Sequence, residues 1–198
     1  MCRFKYITEK ILDDVLFYIQ EKLNERRMFM LLDDEVLYLK RTILDKCFIY
    51  LSNEFIPDNS FEGFRVIVEY DGGVAKAFYP QLIINKSERE YAFNNYLVNQ
   101  FLGYECVIKD EEEIFKRLLE GLCRLLAISL YCNREHIEQL AKRMINYGKK
   151  VVEIRKGKLN SNHGKYFGNP FKGRRHVDWF PYVEIDEWSI FSEVVRRY

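Results

Sequence analysis

His163 and His176 bracket the most basic stretch of this sequence, and together they define the first chemistry to consider. One imidazole can take the proton of an RNA 2′-hydroxyl while the other protonates the leaving oxygen. Lys172 would offset the charge of the phosphorane, with Tyr166 as an assistant. That reaction needs no metal. A metal nuclease would need carboxylate ligands, and none lies between the two histidines; Asp178 is the nearest.

The same stretch supports a reading without catalysis. Between Gly148 and His176 nine Lys and Arg face a single acid, Glu153, whereas the whole chain has a net charge of +1. The cations Lys149, Lys150, Arg155, Lys156, Lys158 and Lys165 would neutralise phosphates. Lys172, Arg174 and Arg175 would do so from the other side, and Tyr166 or Phe167 would stack on bases. Gly164, Gly168 and Gly173 would let the backbone approach a ligand. An acidic protein surface is the alternative partner. In that reading the chain is an inhibitor or regulator that docks by shape, like accessory proteins of phages and mobile elements.

Other chemistries find no support. There is no phosphate-binding Walker loop, no dinucleotide GxGxxG and no nucleophile elbow. The five cysteines include no CxxC pair, so they read as free thiols in a reducing compartment, not as a zinc site. No cofactor is implied. The first residues lack an apolar leader, and the most apolar run, 118–132, is too short and too charged to span a bilayer. The expected location is cytoplasmic.

The elements that must position these residues read as α+β, with at least five helices on a small, mainly antiparallel sheet. Apolar residues at helical spacing predict helices over 7–27 and 33–55, a hairpin that could form a subdomain of an otherwise single domain. The run 64–70, then Asp71-Gly72-Gly73, then 74–84 predicts a β-hairpin. Ser87-Glu88-Arg89-Glu90 predicts a capped helix ended by Gly103, and 105–108 a short strand. A long helix is expected over 110–131 and another after the cap Asn133. Strands are expected at 151–154 and 177–185, with a last helix over 186–197. Residues 149–176 are expected to form a long basic loop. A winged helix-turn-helix is a further arrangement: of the helices flanking Cys132-Asn133, the second would enter the major groove and the basic loop would be the wing. Glu135 and Glu138 would face phosphates poorly there.

Overall fold

The computed structural model describes residues 3–28, 30–46, 48, 51, 53–70, 75–76, 78–103, 111–168 and 175–198. The chain forms two compact units, one of residues 1–52 and 80–127, the other of 53–79 and 128–198. The fold is α+β.

The first unit is helical. Helix α1 (Glu9–Glu25) buries Leu12, Val15, Leu16, Ile19 and Leu23, one stripe at helical period. The Thr8 hydroxyl accepts from the Ile11 N–H at 3.3 Å and fixes its start. Helix α2 (Asp33–Lys46) opens on three acids, which suit a helix N-terminus, and buries Leu39 and Ile43. It stops at Lys46, well short of the expected Phe55. Helix α3 (Lys86–Ala92) starts earlier than expected, because the Asn85 side chain takes the Glu88 N–H at 2.9 Å and displaces Ser87 as the cap. The chain continues as a π-helix over Phe93–Leu102 and ends at Gly103, whose φ of 84° favours glycine. Helix α4 (Glu111–Leu125) packs closely on it: a Cβ at Gly121 would meet Leu97 at 2.7 Å. The short strand expected at 105–108 lies outside the described residues.

The second unit carries the sheet. Its strands are β1 (Glu54–Phe55), β2 (Phe61–Tyr70), β3 (Ala75–Lys76), β4 (Ile128–Tyr131), β5 (Val151–Leu159), β6 (Gly164–Gly168), β7 (His176–Pro181) and β8 (Glu193–Arg197). The order is β1-β6-β7-β4-β2-β5-β8, with β3 paired to β2, and every pairing is antiparallel. Helix α5 (Arg134–Asn146) lies on one face. It is capped by Asn133, which accepts from the His136 N–H at 3.0 Å. Its Ile137 and Ala141 join Phe64, Val66 and Val68 of β2 and Val151 and Ile154 of β5 in one core cluster. A single helical turn, α6 (Glu187–Ile190), precedes β8.

Several expectations need correction. The sheet is not small. Residues 128–131 leave the expected long helix and form β4, with alternating burial; a strand therefore separates α4 from α5, and there is no helix-turn-helix. The expected last helix is one turn followed by a strand. The expected basic loop is strand over 151–159 and 164–168. Two of its glycines serve packing, and Gly173 lies outside the described residues. Gly157 sits under Ile190 and Phe191, where a Cβ would meet atoms at 3.0 Å, and Gly164 sits against the Phe180 carbonyl. Both mark close approach inside a sheet, not loop freedom. The Asp71-Gly72-Gly73 turn lies outside the described residues; among those described, the second arm of the 64–84 hairpin is strand at Ala75–Lys76, followed by a 3-10 turn at Gln81–Ile83.

Candidate functional site

The strand geometry disperses the basic residues. Along β5, Arg155 lies on Glu153 at 2.5 Å, donates to the Phe191 carbonyl at 3.1 Å and stacks over Trp188 at 4.9 Å. Lys156 bridges Glu193 at 3.0 Å and Glu62 at 3.2 Å, and these two carboxylates raise its pKa. Lys158 is exposed and stands opposite Glu62 in the ladder. On β6, Lys165 reaches Glu54 at 2.8 Å. These cations sit among the carboxylates of their own sheet. Lys172 and Arg174 lie outside the described residues.

The expected stacking residues are not surface rings. Tyr166 is 1% exposed and Phe167 0%. Tyr166 donates its hydroxyl to the Asn160 carbonyl at 2.8 Å, and burial pushes its pKa up. Neither ring presents a face to a base, so the stacking role fails on burial.

The two histidines are also parted. β6 and β7 pair from Gly164↔Pro181 to Gly168↔Val177, so His163 lies at one end of this hairpin and His176 at the other. Five strand residues lie between their levels, a separation of about 20 Å at strand rise. No phosphodiester spans that distance, and the two-histidine ribonuclease reading ends here. His163 has a local role: its Nδ1 accepts from the Asn160 N–H at 3.3 Å in a capping box, and burial lowers its pKa. Among the described residues no three His, Cys, Asp or Glu side chains gather as metal ligands.

One group of exposed cations and rings is brought together at the end of α5. The helix closes with a Schellman turn. The Lys149 N–H donates to the Met144 carbonyl at 2.9 Å and the Gly148 N–H to Ile145 at 2.9 Å, with Gly148 at φ 76°. This turn holds Tyr147 outward at 80% exposure. Exposed Arg143 precedes it, and Lys149 and exposed Lys150 follow. Lys150 meets Glu69 at 2.9 Å.

Strand β8 adds the chain's last residues. Arg197 pairs with Glu153 in the ladder, and the Tyr198 N–H donates to the Val152 carbonyl at 2.9 Å, beside the start of β5. Arg196 lies over the Tyr198 ring at 5.1 Å and reaches Glu138 of α5 at 3.4 Å. Hydrogen bonding from Arg134, with the Arg196 charge in support, holds the Glu138 carboxyl low. Arg196, Arg197 and Tyr198 were hidden from sequence reasoning by the acidic stretch around them. Only the β5–β8 pairing brings them to the start of β5, opposite Val152 to Ile154.

No protein-family model, curated protein or solved structure matches this chain. Among the described residues no helix is long and apolar enough to cross a membrane.

Proposed function

We propose that this chain is a cytoplasmic binding protein that engages single-stranded nucleic acid, without cleaving it, at the α5–β5 turn and the end of β8. The observation that carries this reading is Tyr147, an aromatic ring held outward by a fixed turn among Arg143, Lys149 and Lys150. Cations along a backbone with an open ring for stacking are what sequence-tolerant binding of single strands requires. Tyr198, partly exposed beside Arg196, offers a second ring.

Fluorescence anisotropy with labelled RNA and DNA oligonucleotides, across a salt series, tests it. Affinity should fall steeply with salt. The triple variant Arg143→Ala/Lys150→Ala/Arg197→Ala should flatten the log–log slope by about 0.7 for each phosphate no longer neutralised. Tyr147→Ala should cost about 1–3 kcal/mol with little change in slope. Absence of binding at low salt overturns the reading.

A second reading is supported by β8, which ends the sheet order with β5 on its one described side. An acidic, extended segment of a partner protein could add to that edge, with Arg196 and Arg197 meeting its carboxylates. Co-purification of a partner that is lost on Val194→Pro, together with absence of nucleic-acid binding, would favour it.

A further inference from the structure

Ser129 and His176 form a close pair that neither binding reading uses. They lie on neighbouring strands, β4 and β7, whose register sets Ser129 against Asp178 and Tyr131 against His176. Alternation along a strand then puts Ser129, Tyr131, His176 and Asp178 on one face of the sheet. The Ser129 Oγ stands 2.6 Å from His176 Nε2, and an Asp178 carboxylate oxygen stands 3.8 Å from the same nitrogen. We propose that Ser129 is a nucleophile with His176 as its general base, forming a hydrolytic site for small activated esters.

Each part has a physical support. A serine hydroxyl is a weak nucleophile until a base within hydrogen-bond reach takes its proton, and His176 Nε2 is at that distance. The imidazolium so formed carries its new proton toward Asp178. That carboxylate is 7% exposed, so solvent screens its charge little. The acid therefore faces the nitrogen that receives the proton, unlike relays in which it faces the other ring nitrogen. The Tyr131 ring, set edge-on to the imidazole at 5.3 Å, is packed against the α5 core cluster and limits its rotation. The Arg65 guanidinium donates to the Ser129 carbonyl at 2.6 Å and fixes the nucleophile's backbone. The His176 side chain is 37% exposed, so solvent and a small reagent reach the pair.

The reaction balances without a further reactant except water. Ser129 Oγ bonds to the carbonyl carbon as the bond to the leaving oxygen breaks. The hydroxyl proton passes to Nε2 and then to the leaving alkoxide. Water, deprotonated by the same nitrogen, then attacks the acyl carbon; the bond to Ser129 Oγ breaks, Nε2 returns the proton to that oxygen, and the acid is released.

The test uses the full chain and a fluorophosphonate, whose phosphorus takes the serine oxygen as fluoride leaves. Peptide mass mapping should place one adduct on Ser129 and none on Ser161 or Ser189. Ser129→Ala should abolish it. His176→Gln should slow it at least tenfold, in protein whose thermal melt remains cooperative. If the Gln variant does not fold, His176→Phe keeps an aromatic ring against Tyr131 and replaces it in the comparison. The proposal is overturned if folded wild-type protein gains no adduct at Ser129 on prolonged incubation. It is equally overturned if removal of the imidazole leaves the labelling rate unchanged. Neither result bears on nucleic-acid binding, which is read from a different surface.

Discussion

Gly148 and Gly164 both have positive φ, yet their surroundings predict different costs. Gly148 has open space where a Cβ would go, so Gly148→Ala suffers only the left-handed backbone. A loss of about 1 kcal/mol is expected. Gly164 has φ 147° and the Phe180 carbonyl where its Cβ would sit, so Gly164→Ala must also push two strands apart. A loss of about 3 kcal/mol or more is expected. Urea titrations of the two variants check the ranking, and equal losses would show that steric crowding is not what selects glycine at 164. Cys132 provides a chemical prediction at the same scale. Burial pushes its thiol up to about 12, with the Arg175 charge acting the other way. Iodoacetamide at pH 8 should therefore leave Cys132 unmodified in the folded protein and modify it in urea, as peptide mapping would show.

At the scale of elements, α5 secures the sheet and also presents the turn proposed to bind nucleic acid. Ile137 is 1% exposed beneath it. Ile137→Ala should cost about 2–5 kcal/mol, and Asn133→Ala about 1 kcal/mol through the missing cap. Chemical denaturation measures both; a cost near zero for Ile137→Ala would mean that the helix is not held by its apolar stripe. This helix was legible in the sequence because its cap, its period and its terminal glycine agree. So was α1. The strands were less legible. β4 continues the apolar run of α4 without a Pro or Gly to mark the break, so the period change at Ile128 is visible only once its partners on β7 are known. β5 and β6 carry glycines where neighbouring side chains and carbonyls press on the backbone, and these resemble loop signals. The proposed binding surface was half legible: Lys149 and Lys150 lie in the expected basic stretch, whereas Arg196, Arg197 and Tyr198 arrive by pairing between distant segments. The Ser129–His176 pair left no local signal, since its members meet only across a strand ladder.

At the scale of the molecule, both units hold tyrosines whose titration couples to folding. Burial raises the pKa of Tyr18, Tyr166 and Tyr198; at Tyr18 a hydrogen bond to the Glu90 carboxylate at 3.0 Å adds to it. A raised folded pKa means that the folded state holds the proton more tightly. The stability so gained is complete below the ordinary tyrosine pKa of about 10 and is lost as pH climbs above it. Thermal melts should therefore shift down between about pH 9 and 11.5, and Tyr18→Phe with Tyr166→Phe should reduce the shift. A slope unchanged in the double variant would place the alkaline sensitivity elsewhere. Glu90 adds an acid limb. Burial works to raise its pKa, but hydrogen bonds from Tyr18 and Lys22 outweigh that and hold it low. Its contribution is present above the ordinary glutamate pKa of about 4.3 and fades as acid is added through its folded value.

The sheet unit is assembled from two stretches of chain, with 80–127 of the helical unit between them. During synthesis this imposes a wait. β2 emerges from the ribosome early, but its long partner β5 is complete only at Leu159, about ninety residues later. At about 5–20 residues per second that is roughly 5–20 seconds in which Phe64, Val66 and Val68 have no β5 to cover them. A nascent chain arrested between residues 70 and 128 should therefore bind chaperones and be cut by protease within β2. One arrested with Tyr198 beyond the exit tunnel should resist both.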